Sequence, residues 1–378
     1  MRTRTPTPPT VRGWCPSVTA PLEALDGWVV RVPVGCRALA ARQWQTLAAL
    51  AEHEGNGLVE LTSRGNVQLR GLRPERVRAA AGQLVAAGLA TVDEALDRAR
   101  AVVVNPLLDH LSDAPALTDR KRVQTGIEEV VTRHRRELPA KWWAVVDAEL
   151  PWPAPCHAAD VAVSHRGDGW VLWVAGRPLA RARDPLPAVE TLVRRCAEQR
   201  CRAGGLAAPV PLEGMTSIVD DPGCSAMPAS GARTPWWGLR EVARLVVAGA
   251  SPALGVTRAA SLRVLAALAD RPSVSVRPTT ERGVIVVAPH QETGSVLDAL
   301  DRLAGHGWVV GEDDPRRFVS ACIGSRGCPA ALVDTHRVAG GIQVGERTHV
   351  SGCPKRCGAP GAARELIATV DGIWEHRP

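Results

Sequence analysis

Gly55-Asn56-Gly57-Leu58-Val59-Glu60-Leu61-Thr62-Ser63-Arg64-Gly65-Asn66-Val67-Gln68-Leu69-Arg70-Gly71 reads as two short strands, 58–62 and 67–69, joined by a tight polar turn at 63–66. Working outward, Trp28 to Val34 predicts a strand. Ala38 to Ala51 predicts a helix, because Trp44, Leu47, Leu50 and Ala51 recur on one face. After the turn, Pro74 opens a helix to about Ala87, and Leu89 to Val92 predicts a last short strand. The order β-α-β-β-α-β is the ferredoxin-like pattern.

The order returns later in the chain. Leu239 to Val247 predicts a strand and Thr257 to Ala269 a helix. Val274 to Arg277 and Val284 to Val287 flank a second turn, Thr280-Glu281-Arg282-Gly283. A helix at 295–304 and a strand at 308–310 follow. Arg64-Gly65 aligns with Arg282-Gly283, which marks an internal duplication. The fold expected is α+β: two duplicated ferredoxin-like half-domains (12–95 and 233–312) forming a pseudo-dimer, an α+β domain between them (96–232), and a cysteine-bearing domain at 313–378. In the insert, strands are expected at 102–106, 142–146 and 170–174, with helices at 119–136 and 188–201.

Asn66, Gln68 and Arg70 share one face of their strand, since alternate residues point the same way. A polar strand face predicts a lined cavity or a solvated sheet. Arginine is the best fork for carboxylates, so Arg64, Arg70, Arg277 and Arg282 are candidates to hold an acidic ligand. Lysine occurs three times in the chain, which singles out Lys141 and Lys355.

The second informative stretch is A-C-I-G-S-R-G-C-P-A-A at 321–331, followed by H-V-S-G-C-P-K-R-C-G-A-P at 349–360. Cys322 and Cys328 form one pair of thiols, Cys353 and Cys357 another. Four converging thiolates suit a cubane iron–sulfur cluster, one per iron. Gly324, Gly327, Gly352 and Gly358 let backbone approach a bulky inorganic core. Structural zinc also takes four thiolates, but its knuckles space them more closely than Cys322 and Cys328. Disulfides would need an oxidising compartment. Cys15, Cys196 and Cys201 read as reduced structural thiols, and His157 beside Cys156 is a weak hint of metal binding.

The chain has 378 residues with 45% hydrophobic and 22% charged content, a globular composition. A net charge of +7 favours acidic partners. No long Lys/Arg run occurs and aromatics do not alternate with basics, so nucleic acid is not expected. No run of 18 apolar residues exists, and the opening M-R-T-R-T-P-T-P-P-T has no apolar segment, so neither a membrane span nor a signal peptide is expected. Ten cysteines without a leader predict a reducing cytoplasm.

The paired cysteine motifs, the T-S-R-x-N-x-Q turn and the duplicated half-domain resemble the siroheme sulfite and nitrite reductase superfamily. Within it, R-G-W-C-P at 12–16, the 55–71 stretch and H-V-S-G-C-P-K-R-C are similar to the precorrin-3B synthase family. The resemblance covers essentially the whole chain. It implies a tetrapyrrole cleft and a 4Fe–4S cluster on Cys322, Cys328, Cys353 and Cys357. It places Arg64, Arg100 and Lys141 at the positions where the reductases clamp siroheme carboxylates. The implied reaction is monooxygenation in cobalamin biosynthesis: precorrin-3A, dioxygen and an electron donor (NADH with a reductase, or ferredoxin) give C-20 hydroxylation with γ-lactone formation. A mononuclear non-heme iron would activate oxygen, with His157, His336 and His349 as candidate ligands. The alternatives are a siroheme-dependent reductase, with Cys357 bridging cluster and siroheme, and a zinc-stapled binding protein. Two departures stand out. Trp143 replaces a second lysine of many reductases, and Ala359 stands where many synthases carry histidine.

Overall fold

The structure, a computed structural model, describes residues 16–99, 102–110, 114–139, 141–148, 150, 152, 154–167, 169–207, 216–217, 237–342, 345–358 and 364–377. Cys15, Arg100 and Ala359 lie outside them. Four sheets carry the fold, with helices packed on them, an α+β architecture.

The first unit comprises β1 (Leu22–Ala24), β2 (Gly27–Val32), α1 (Ala41–His53), β3 (Leu58–Leu61), β4 (Val67–Leu72) and α2 (Val77–Ala86). Pro74 starts a 3-10 turn into α2, where its fixed φ and missing N–H cost nothing. Helix α1 buries Trp44, Leu47, Ala48, Leu50 and Ala51, one helical face. The expected strand at 89–92 does not form. Its place beside β2 is taken by β1. Helix α3 (Glu94–Ala99) leads out of the unit.

An inserted domain follows: β5 (Val102–Val104), α4 (Ala114–His134), β6 (Ala144–Ala148), β7 (Val161–Arg166), β8 (Gly169–Val174), β9 (Arg177–Ala182), α5 (Leu186–Glu198) and β10 (Thr216–Ser217). Strands β5, β6 and β7 run parallel, and β8 returns antiparallel.

The second unit comprises β11 (Gly238–Val242), β12 (Leu245–Pro252), β13 (Val256–Arg258), α6 (Ala259–Ala269), β14 (Ser275–Pro278), β15 (Val284–Pro289), α7 (Thr293–Gly305) and β16 (Trp308–Val309). The single strand expected at 239–247 is a hairpin. Ala243 turns the chain at φ 54°, which alternation of apolar residues does not reveal. The last domain, β17 (Val319–Ala321), α8 (Thr335–Gly340), β18 (Thr348–Ser351), β19 (Arg364–Thr369) and β20 (Gly372–His376), repeats the insert's strand plan. Strands β17, β18 and β19 are parallel and β20 antiparallel. The duplication therefore extends to the parallel strands that follow each unit.

The two units lock reciprocally. Strand β13 of the second pairs with β3 of the first. In return Leu39 N donates to Val276 O on β14 at 3.1 Å. Helices α1 and α6 pack together, and Trp44, Leu47, Leu262, Leu265 and Trp308 belong to one continuous core.

The two turns fix the register of the repeat. Thr62 N donates to Asn66 O at 2.9 Å, and Thr279 N to Gly283 O at 2.9 Å. Gly65 and Arg282 both sit in left-handed backbone, at φ 60° and 58°. Gly65 is thus the counterpart of Arg282, one residue off the alignment suggested by the shared Arg-Gly. Glycine is required in the first copy, where an added Cβ would stand 2.1 Å from Cys36 Sγ.

Two stability tests arise here. Trp308 is 1% exposed, and its indole N–H donates to Thr257 Oγ1 at 2.9 Å and Ser261 Oγ at 3.0 Å. Trp308→Ala should cost about 3–5 kcal/mol in urea unfolding through the cavity it leaves. Glu54, at the end of α1, accepts from Arg76 at 2.6 and 2.7 Å and from Arg73 at 3.1 Å. These bonds, the Arg76 one foremost, lower its pKa from 4.5 to about 2. A depressed carboxylate stabilises above its unfolded value and loses that contribution as pH falls through the folded one. The urea midpoint of the wild type should therefore exceed that of Glu54→Gln above pH 4.5 and converge with it toward pH 2. A gap that stays constant across that range would refute the clamp.

Candidate cluster site and basic cleft

Strand β17 ends in the loop carrying Cys322 and Cys328, and β18 ends in the loop carrying Cys353 and Cys357. Because β17 and β18 are parallel neighbours, both loops emerge at the same sheet edge. Cys353 is buried, Cys322 and Cys328 half-buried, Cys357 exposed, and all eight described cysteines are free. The four thiols act on one another electrostatically. Burial raises the Cys353 thiol first, opposed by the Lys355 backbone and reinforced by Cys328, Cys357 and Cys322. Desolvation by the surrounding protein raises Cys357, and Lys141 pulls it down. Gly352 N–H donates to Cys322 Sγ at 3.2 Å, the kind of amide that offsets charge on a ligated thiolate. Arg356 ties the 353–357 loop to the buried Glu365 at 2.5 Å.

Among the described residues no three His, Cys, Asp or Glu are grouped to hold a single metal ion. A cubane places one thiolate on each iron, so its ligands surround a larger body than one ion does. Four thiols on two loops that leave neighbouring parallel strands, one already accepting an amide, fit that donor set.

The arginines expected to line a cavity divide into two groups. Some have their side chains engaged inside the protein. Asn66 Oδ1 accepts from Gly35 N at 3.0 Å. Gln68 Oε1 accepts from Arg31 at 3.1 and 3.2 Å, and its amide donates to Glu60. Arg277 donates to Asp109 at 2.9 Å and Ser275 at 2.9 Å and approaches His110. Arg70, 3% exposed, forks onto Asp26 at 2.8 and 2.9 Å and reaches Glu60 at 3.4 Å.

The other group meets the cysteine loops. Arg70 also donates to Gly327 O at 3.4 Å, and Arg282 to Gly358 O at 2.6 Å. Each half-domain thus sends one arginine to the residue adjoining a cysteine, Cys328 or Cys357. A Cβ on Gly327 would lie 2.3 Å from Arg70, and one on Gly358 2.3 Å from Arg282. These two glycines make room for the arginines rather than for the inorganic core alone. Arg64 Nη2 donates to Lys141 O at 3.0 Å and its guanidinium lies 5.1 Å from the Trp143 ring centroid. Arg64, Lys141 and Cys357 are therefore neighbours.

Beside the cysteine loops opens a cleft of about 610 Å³, including space open to solvent. Its wall carries Arg282, Arg316, Arg317, Arg347, His349 and, from the first turn, Ser63. Arg316, Arg317 and Arg347 escaped the sequence reading. The signal lay in position: the Arg316-Arg317 pair and Arg347 directly precede the strands that deliver the two cysteine loops. His349, 1% exposed, shares a 2.8 Å hydrogen bond between Nδ1 and Ser320 Oγ, and its Nε2 has no partner among the described residues. Burial, then Arg282, holds its pKa well below the usual value, so it is neutral. His336 is half-buried with an unpartnered Nε2, and His157 is exposed.

No helix among the described residues is long and apolar enough to cross a membrane. Residues 23–87 match the nitrite/sulfite reductase ferredoxin-like half-domain family. A precorrin-3B synthase from Sinorhizobium sp is 28% identical, with 92% of this chain and 79% of that protein covered. The structure of the Mycobacterium tuberculosis NirA protein superposes with a TM-score of 0.63 at 20% identity, covering 92% of this chain and 73% of that one. The chain thus carries the ferredoxin-like half domain of the nitrite and sulfite reductases within a NirA-like fold, and along nearly its whole length it is similar to precorrin-3B synthase.

Proposed function

We propose that this chain is a precorrin-3B synthase, an oxidoreductase that binds precorrin-3A and, with dioxygen and reducing equivalents, yields the C-20 hydroxylated γ-lactone. The observation that carries the reading is the extent of similarity, 92% of this chain against a synthase, on a chain whose two cysteine loops leave adjacent parallel strands beside a basic cleft. A 4Fe–4S cluster held by Cys322, Cys328, Cys353 and Cys357 would supply electrons one at a time, as dioxygen reduction requires.

The chain's own residues do the rest. Arg282, Arg317, Arg347 and Lys141 set a positive field that draws in a polycarboxylate. Arg64 is held over the Trp143 ring and by the Lys141 carbonyl, which adds a positioned guanidinium to that field. The indole at 143 stands where many reductases carry a second lysine, which suits a tetrapyrrole that arrives and leaves. No described group of three donors fits a mononuclear iron, so no step is assigned to one. The electron donor, NADH through a reductase or a ferredoxin, would deliver to the cluster.

Anaerobic purification with iron and sulfide assay, followed by turnover of precorrin-3A under air, tests the proposal. Equimolar cluster and formation of the hydroxylated lactone are expected. A resident siroheme absorption band with sulfite or nitrite reduction would replace the synthase reading by the reductase one. Zinc without iron or sulfide would remove both. Arg64→Ala should keep its cluster while tetrapyrrole affinity falls by about tenfold or more, the scale of a lost charge-assisted bond. Unchanged affinity would take Arg64 out of the site.

A further inference from the structure

Four arginines line the cleft beside the cysteine loops, and three of them are engaged. Arg316 is bound to Asp314 at 2.5 Å, Arg347 to Glu281, and Arg282 to Gly358 O at 2.6 Å. Arg317 is different. Its guanidinium makes no ion pair or hydrogen bond among the described residues, and its Nε is buried without a partner. It is held by stacking instead, 4.2 Å from the Phe318 ring centroid and 5.9 Å from that of Trp237. Trp237 is itself anchored, its indole N–H donating to Ser251 Oγ at 2.7 Å. A guanidinium seated against two rings, with its fork unused among the described residues, is available for bidentate binding of an oxyanion.

The same cleft presents a second unsatisfied group. His349 is 1% exposed and its Nε2 has no partner among the described residues. When the Ser320 hydroxyl donates to Nδ1 across their 2.8 Å contact, the neutral ring carries its proton on Nε2. A buried donor without an acceptor is destabilising, and a ligand oxygen would satisfy it. Two polar groups left open on one wall, in a protein that satisfies the neighbouring three arginines, mark a place completed from outside.

We propose that Arg317 and His349 form a carboxylate-binding subsite, with the Arg317 fork and the His349 Nε2–H donating to one carboxylate. The source is either an acid arm of a tetrapyrrole or a free small carboxylic acid. The first source deepens the functional reading above, and the second does not need it.

The test uses the full chain with its cluster loaded anaerobically. Uroporphyrin, an octacarboxylate tetrapyrrole, is titrated by tryptophan fluorescence, and acetate is tested as competitor and as thermal stabiliser. Arg317→Met should weaken uroporphyrin binding by about tenfold or more, and Arg317→Lys, which keeps the charge but loses the fork, should fall between. Excess acetate should compete in the wild type and not in Arg317→Met. If the wild type ignores uroporphyrin but acetate raises its melting temperature and not that of Arg317→Met, the subsite stands with a free acid as ligand, and the tetrapyrrole reading falls. Wild-type affinity for both probes in Arg317→Met overturns the subsite, as does failure of the wild type to bind either. Should Arg317→Met not load its cluster, Arg317→Lys decides: affinity equal to the wild type overturns the proposal.

Discussion

Cys353→Ser should abolish the brown chromophore and lower bound iron and acid-labile sulfide by an order of magnitude or more. Cys353 is the buried member of the four, and burial and the other three thiols raise it. The loss should extend to stability. The last domain has the smallest apolar core of the protein's described parts: Val319, Ala321, Ala339 and Val350 with a few half-buried neighbours. A core that small needs a staple, and a bound cluster contributes its binding free energy to folding. Limited proteolysis of the variant should therefore cut within 319–377 while the paired half-domains survive. Cys196→Ser is the control. That thiol is buried in the inserted domain's core, raised by burial to about pKa 11, and its loss should leave iron unchanged. Full iron content in Cys353→Ser would remove the cluster assignment and the electron-transfer role built on it.

Arg70→Met should destabilise the chain by about 3–5 kcal/mol, because it strands Asp26 and Glu60 at a nearly buried site without their cation. The same arginine reaches Gly327 O beside Cys328, and Leu25 N donates to that carbonyl at 3.1 Å. Loss of Arg70 should thus also loosen one cysteine loop and slow cluster loading. The triple variant Arg70→Met, Asp26→Asn, Glu60→Gln separates the two effects. It removes the stranded charges and should recover most of the stability measured in urea, while cluster loading remains impaired. Recovery of both, or a single-variant cost below about 1 kcal/mol, the surface-pair range, would show that the network is not a strut.

The legible parts of the molecule were those that local physics decides. Trp44, Leu47, Leu50 and Ala51 at helical spacing announced α1, and the polar turn at 63–66 announced the hairpin of β3 and β4. Where local signals were silent the reading failed. The apolar run at 239–247 gives no hint of the turn at Ala243, and 89–92 has strand-like residues but the edge of β2 is already taken by β1. The Arg-Gly alignment was off by one because it followed letters, whereas the repeat is fixed by a left-handed backbone position that Gly65 occupies freely and Arg282 occupies under tertiary constraint.

By itself the sequence determined the β-α-β-β-α core shared by the two half-domains and the two thiol pairs, since periodicity, turn chemistry and cysteine spacing are properties of short segments. Only the tertiary structure decided which polar residues are structural and which face a ligand. Arg70 and Arg317 look alike in the chain. Carboxylates 44 and 10 residues away neutralise the first, while among the described residues the second meets aromatic rings, because long-range packing chooses the partners of a charge.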